Sequence, residues 1–354
     1  MSSASASGPF TMSSARPTQQ RPGHGVDVWS SPEWRAGATA WLDERLREVS
    51  IERTGAVDQP HVRPWATVLS APTDAGRVWL KAAGPGTSFE VGLYEVLARS
   101  VPEHVLVPLT LDLERGWMVL PDGGVPLGEK LGGEELAGAM EEVLPLYADL
   151  QLGVAGEVDA LLAAGAADMR PAAMPGRFEE ALAGVRGYVD VHGDAADRAT
   201  LARLERSGPL VAGWCEHLAT SPVPLSVDHN DLHAWNVLVG NGTPRFYDWG
   251  DSVVAHPFAS MLLGLGFVQQ RILEVEPGDP RILRLRDAYL EPFTATAPAA
   301  GLAETLELAC RVGKIARSLV WGRTVRADPE GERWQRAPFS CLAAILDDSH
   351  LTGA

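Results

Sequence analysis

A chain of 354 residues, 45% of them hydrophobic and with a mean hydropathy of −0.03, has the composition of a soluble globular protein, long enough for one large domain or two smaller ones. Its net charge of −16 argues against a nucleic-acid partner, and no apolar run approaches the roughly 20 residues of a membrane span, so neither nucleic acid nor membrane is expected as a partner. Cys215, Cys310 and Cys341 match neither metal-ligand nor disulfide-framework spacing and are expected as reduced thiols.

The N-terminus, "MSSASASGPFTMSSARPTQQRPGHG", lacks the apolar middle of a signal peptide. Its Ser, Ala, Pro and Gly predict a disordered tail over 1–30 of a cytoplasmic protein, with Met12 a candidate second start. Order is expected from Ser31, where "SPEWRAGATAWLDERLREVS" carries Trp34, Ala38, Trp41, Leu42 and Val49 near helical spacing after a Ser-Pro start. "IERTGAV", "RPWATVLSA" and "GRVWLKAAG" read as short strands, the last two separated by the turn "PTDAG", so an antiparallel sheet is expected. "SFEVGLYEVLARSV" is a helix by its stripe of Phe89, Leu93, Val96 and Leu97, and "VLVPLTLDLERGWMVLPDGG" reads as two strands around a turn at 114–116. A Gly/Pro-rich connector follows over 121–133. From 134 to the end the periodicity is helical, except for "NVLVGNGTPRFYDW", whose Asn241-Gly242 marks a hairpin turn. These elements predict an α+β fold of two lobes: a small antiparallel β lobe over 31–120 and a larger, mostly helical lobe over 134–354.

Two polar clusters, "SVDHNDLHAWNVLV" at 226–239 and "FYDWGD" at 246–251, interrupt the helical half. On an extended strand His229, Asp231 and His233 would face one side, as a comb for zinc or another transition metal, but the remaining histidines form no second comb. Phosphoryl transfer asks for other parts. These are a carboxylate facing the attacking hydroxyl, oxygen ligands for magnesium, and a lysine on the phosphates steadied by a glutamate. His229, Asp231 and Asn236 fit H-x-D-x-x-x-x-N, and Asp248 follows just beyond the hairpin, where it and Asn236 could share one hard cation. Lys81 lies mid-strand among apolar neighbours, which is costly without a partner. Glu90 opens the next helix, with Glu95 as a competing partner.

The order Lys81, Glu90, a hinge at 120–124, His229-x-Asp231-x4-Asn236 and Asp248-Trp249 resembles the aminoglycoside phosphotransferase and choline kinase family of the protein-kinase-like fold. "HNDLHAWNVLV" is similar to that family's His-Gly-Asp-Leu-His-x-x-Asn signature and "YDWGD" to its metal-binding Asp-Trp element. The resemblance implies that Asp231 is the catalytic aspartate and that Asn236 and Asp248 bind magnesium. Lys81 would hold the phosphates of ATP or GTP with Glu90 as its partner, and Leu120 and Asp122 would lie in the hinge beside adenine. His229 would brace the loop, and His233 would do the same or line the cleft. Asp251 would border the acceptor site, where its carboxylate could hold an ammonium or hydroxyl of the substrate, or else complement a helix dipole. The acceptor implied is a hydroxyl on an aminoglycoside-like, amino-sugar or amino-alcohol molecule. A nucleotide-binding pseudokinase and a His/Asp metal hydrolase are the rival readings.

Three departures stand out. Asn230 replaces the signature glycine, Trp79 occupies a position that is commonly small, and Gly55 is the lone glycine where a G-x-G-x-x-G loop is expected. Among the eleven tryptophans, Trp235, Trp249, Trp321 and Trp334 of the helical half are expected in the core or stacked on a sugar ring.

Overall fold

The computed structural model describes residues 24–240, 242–329, 331–347 and 351; Met12, Asn241 and most of the expected tail lie outside them. Helix α1 (Val26–Trp29) precedes the start expected at Ser31. Trp29 accounts for it: the side chain is 2% exposed, and its carbonyl accepts from Gln59 Nε2 at 3.0 Å. Helix α2 (Pro32–Glu48) begins where Ser31 Oγ accepts from Trp34 N. Its buried stripe is Ala38, Leu42 and Leu46. Val49, expected on that stripe, is exposed, because the helix ends one residue before it.

Strands β1 (Asp58–Arg63), β2 (Ala66–Thr73), β3 (Gly76–Ala83), β4 (Thr110–Asp112) and β5 (Trp117–Pro121) form an antiparallel sheet in the order β1-β2-β3-β5-β4. The first strand departs from expectation. "IERTGAV" contributes only a bridge between Arg53 and Thr73, and residues 58–63 pair instead. Pro60 is tolerated there because β1 is an edge strand whose register shifts between Asp58 and His61. The alternation along β3 sorts its side chains. Val78, Leu80 and Ala82 pack with Leu69, Ala71 and Val119 against Ala38, Leu42 and Leu46 of α2. Trp79 and Lys81 therefore belong to the other face, level with Leu120 and Met118 of β5. Met118 and Leu120 join helix α3 (Phe89–Ser100) in the main core.

The connector over 121–133 is more ordered than a plain linker, containing β6 (Val125–Pro126) and α4 (Leu127–Lys130). Then come α5 (Gly133–Gly153), α6 (Val158–Ala163), β7 (Ala167–Asp168), α7 (Met174–His192), α8 (Ala195–Arg206) and α9 (Gly208–Ala219). β8 (Ser226–Asp228), β9 (Val237–Val239), β10 (Arg245–Phe246) and β11 (Val253–Ala255) carry the polar clusters. The chain closes with α10 (Met261–Phe267), α11 (Pro280–Leu290), α12 (Ala299–Ala327), α13 (Glu332–Gln335) and α14 (Ala337–Ala343). The architecture is the expected α+β arrangement, with two small sheets: β10-β9-β6, which extends the expected hairpin, and β7-β11-β8, which the helical periodicity hid. Pairing of Val125 with Val239 ties the connector to the hairpin. Cys215, Cys310 and Cys341 are free, the first two buried.

Arg53 meets both oxygens of Asp43, at 2.7 and 2.8 Å, and fastens α2 to the segment before β1. Its hydrogen bonds hold the Asp43 carboxyl below the ordinary range. A depressed carboxylate pKa adds stability above its unfolded value of about 4, and that stability is lost as pH falls through the folded value. Asp43→Asn is expected to lower Tm by a few degrees at neutral pH. The gap from wild type should close as pH falls through the folded pKa of Asp43, as thermal melts across pH will check.

Candidate active site

Lys81 Nζ lies 2.7 Å from Glu90 Oε2 and 2.6 Å from Asp248 Oδ1. Glu90, in the first turn of α3, is fully buried, whereas the competing Glu95 is exposed. Burial alone would discharge Lys81, but the Asp248 and Glu90 carboxylates outweigh it and hold its pKa above the ordinary value. Burial pushes Glu90 up to about 7 against the pull of Lys81. Lys81 in turn holds Asp248 below the usual carboxylate range.

The loop after β8 is built on Asp228, which is 1% exposed and whose Oδ1 accepts from Asn230 N at 2.8 Å and Ser260 Oγ at 2.7 Å. The chain then turns at Asn230 with φ +60, a left-handed conformation that asparagine tolerates in place of the signature glycine. His229 faces inward: its backbone N donates to Tyr147 Oη at 3.1 Å, and its ring Nε2 lies 3.0 Å from Tyr247 O. The His229–Asp231–His233 comb therefore does not form. Among the described residues no three His, Cys, Asp or Glu side chains group to hold a metal ion.

The Asp231 side chain is 27% exposed. Its Oδ2 keeps only long contacts, 3.4 Å to Asn236 Nδ2 and 3.5 Å to His233 Nε2. Its Oδ1 receives Arg317 Nη2 at 2.8 Å. Burial works against ionisation here, but contact with His233 and the charge of Arg317 hold the Asp231 carboxyl well below the usual range. In the hairpin, Val237 pairs with Phe246 and Tyr247 N donates to Asn236 O at 3.2 Å, so Asn236 and Asp248 stand at adjacent strand ends. Asn236 Nδ2 is engaged by Asp231 O at 2.9 Å, which leaves its amide oxygen as the free end. An amide oxygen and a carboxylate beside a lysine are the hard donors that magnesium takes when phosphates supply the rest of its shell, and the residues fit that ion.

At the hinge, Leu120 is buried and Asp122 Oδ1 accepts from Trp79 Nε1 at 3.1 Å. Trp79 is thus drawn onto the connector. Gly124, at φ +97, passes so close to β9 that a Cβ would stand 2.6 Å from Val239 O. The β1–β2 tip is a two-residue turn, Pro64-Trp65, between Arg63 and Ala66. Gly55 lies before β1 against Pro72 and plays no part in the tip. The Trp65 carbonyl accepts from Gly84 N at 2.7 Å and Thr87 Oγ1 at 2.9 Å, pinning the tip to the loop between β3 and α3.

Asp251 is engaged within the protein. Its Oδ2 is 3.0 Å from Arg317 Nη1 and its Oδ1 is 3.9 Å from Arg323 Nη2, so guanidinium groups face the carboxylate for which the sequence offers either an acceptor contact or a helix dipole. Arg317 was missed from sequence, although an arginine within the apolar run "KIARSLVW" calls for a partner by the argument applied to Lys81. A network beneath the loop was also missed. Gln151 Nε2 donates to Val227 O and Pro257 O, Tyr289 Oη donates to Gln151 Oε1 at 2.6 Å, and Tyr147 Oη meets Ser260 Oγ at 2.8 Å. These residues are scattered along the chain and have no local motif. Trp249 is core, whereas Trp321 and Trp334 stack on each other with centroids 5.2 Å apart.

The phosphotransferase enzyme family model matches residues 72–299, more than half of the chain, and the chain belongs to that family. Solved structures agree on the fold. A choline kinase from Cryptosporidium parvum Iowa II is 15% identical at a TM-score of 0.58, covering 87% of this chain and 95% of its own. The macrolide 2'-phosphotransferase MphH from Brachybacterium faecium is 16% identical at a TM-score of 0.54, covering 88% and 99%. The amicoumacin kinase hAmiN, in complex with AMP-PNP and Ca2+, is 11% identical at 0.55, covering 91% and 95%. No curated protein sequence matches the chain. The family defines a phosphotransferase, and no helix among the described residues is long and apolar enough to cross a membrane.

Tyr147→Phe removes the acceptor of the buried His229 N–H and is expected to cost about 1–3 kcal/mol. Urea unfolding should show a lower midpoint at unchanged slope.

Proposed function

We propose that the protein transfers the γ-phosphoryl group of ATP to a hydroxyl of a small-molecule acceptor, an amino-sugar, aminoglycoside-like or amino-alcohol compound by the resemblance of its signature. The observation that carries this reading is Lys81, a partly buried ammonium held between the buried Glu90 and the exposed Asp248. Such a fixed charge suits phosphate oxygens, and catalysis of this kind is mostly positioning and electrostatics. Asn236 and Asp248 would hold magnesium, which when bound neutralises phosphate charge. The connector at Leu120 and Asp122 would border the base, with Trp79 closing one side. The neighbour crystallised with AMP-PNP and Ca2+ supports nucleotide and divalent-cation use.

Asp231 would accept the hydrogen bond of the acceptor hydroxyl and orient its oxygen at the γ-phosphorus. The new P–O bond forms as the bond to the β,γ-bridging oxygen breaks, ADP leaves, and the hydroxyl proton passes through Asp231. A loose transition state asks little basicity of that carboxylate, in keeping with its depressed pKa.

The test is transfer of label from γ-labelled ATP to a panel of hydroxylated amines, sugars and sugar acids. Asp231→Asn is expected to cut kcat by about a thousandfold while ATP binding stays nearly unchanged. Asp248→Ala should abolish magnesium-dependent ATP binding in a calorimetric titration. An Asp231→Asn variant with wild-type turnover would overturn the assignment. Magnesium-dependent ATP binding without transfer to any acceptor would favour the pseudokinase.

A further inference from the structure

Arg317 is 8% exposed, on α12, far in sequence from the loop it serves. Its Nη1 donates to Asn230 O at 2.7 Å and its Nη2 to Asp231 Oδ1 at 2.8 Å, so one guanidinium grips two consecutive residues of the loop. One of them is the left-handed Asn230, the point at which the backbone turns. Asp251 Oδ2, 3.0 Å from Nη1, steadies the guanidinium from the far side, and the Trp321 ring lies 5.1 Å from its central carbon. The contact chain continues: Trp321 stacks on Trp334, and Trp334 meets Trp65 edge-on with centroids 6.1 Å apart. Trp65 is the tip of the β1–β2 turn. A line of contacts therefore runs from Asp231 through α12 and α13 to the lobe that carries Lys81.

We propose that Arg317 is a positioning residue for phosphoryl transfer. By holding Asn230 O and Asp231 Oδ1, it fixes the loop backbone and turns Oδ2 of Asp231 toward the acceptor hydroxyl. The proposal rests on the reading of Asp231 as the residue that orients that hydroxyl. The geometry favours it over a plain buried ion pair. Oδ1 has a short, charge-assisted contact, whereas Oδ2 is left with long contacts, which divides the carboxylate into an anchored oxygen and a free one. The planar fork of arginine reaches the carbonyl and the two carboxylates at once, and a lysine ammonium has no such geometry. The stacked tryptophans hold the fork in place and tie its position to the tip, a support built from residues that touch no reacting atom.

The test compares the full-length wild type with Arg317→Gln and Arg317→Lys in three readouts: calorimetric binding of ATP with Mg2+, steady-state ADP release with acceptor, and crystal structures. Arg317→Gln is expected to lower kcat about a hundredfold, the scale of a small misplacement of a reacting group, with KM for ATP and acceptor little changed. Arg317→Lys should recover part of that loss, and Asp231 should adopt a different rotamer in Arg317→Gln. Folded Arg317→Gln with more than half of wild-type kcat, or with Asp231 and Asn230 unmoved, overturns the proposal. So does a parallel loss of ATP affinity, kcat and Tm in both variants, which marks a structural role alone. If Arg317→Gln does not fold, Arg317→Lys decides, and unaltered kcat in it is contradictory. A wild type that binds Mg2+–ATP but transfers nothing overturns the phosphotransfer reading instead. The Asp231 rotamer in the variant then still decides whether Arg317 positions it.

Discussion

An ammonium held between a buried carboxylate and an exposed one is the constraint on which the rest of this molecule depends. Lys81 comes from the sheet, Glu90 from the helix behind it and Asp248 from a hairpin in the other lobe. Glu90 is fully buried, so removing its ammonium partner leaves a charge stranded out of water, whereas Asp248, with its side chain 51% exposed, stays largely in solvent. Each neighbouring feature can be read as meeting that demand. The alternation along β3 turns Lys81 away from the α2 core, α3 brings Glu90 over it at full burial, and the pairing of β9 with β10 delivers Asp248 at a left-handed backbone position.

A second ion cluster stands beside the first. Asp231 and Asp251 share Arg317, and segment 228–251 supplies carboxylates to both groups. The two clusters differ in chemistry. Around Lys81 the carboxylates are poised beside an amide oxygen, a set suited to metal and phosphate. Around Arg317 both carboxylates are paired with a guanidinium, which suits positioning. Beneath both, the Tyr147–Gln151–Ser260–Tyr289 network supplies buried hydrogen-bond partners to this polar segment inside an apolar lobe.

Much of this was legible in the sequence because its signals are local. The alternation of β3, the stripe of α3 and the spacing from His229 to Asp248 each fall within a short window, and they located the strands, the helix and the residues that the fold brings together. What escaped was set by distant contact. Residues 58–63 form the edge strand although they contain Pro60, because a sheet edge with a register shift spares a proline's missing N–H. For Asp251 the local sequence offers an acceptor contact or a helix dipole, and its guanidinium partner comes from α12, 66 positions away. Trp79 was ambiguous in sequence and is explained only by Asp122 across the strand pair. The glycine expected over the phosphates is absent from the tip, whose rigidity comes instead from the hydrogen bonds to the Trp65 carbonyl.

The most direct measurement is thermal melting of the full-length protein with ATP, in the presence and absence of Mg2+. If Lys81, Asn236 and Asp248 form a nucleotide site as described, ATP with Mg2+ at about a hundred times its Kd should add about 2.7 kcal/mol, a shift of several degrees in Tm, and most of it should vanish without the metal. A melting temperature that no nucleotide moves, with or without Mg2+, would contradict the account and leave Lys81 with Glu90 and Asp248 as a structural ion cluster.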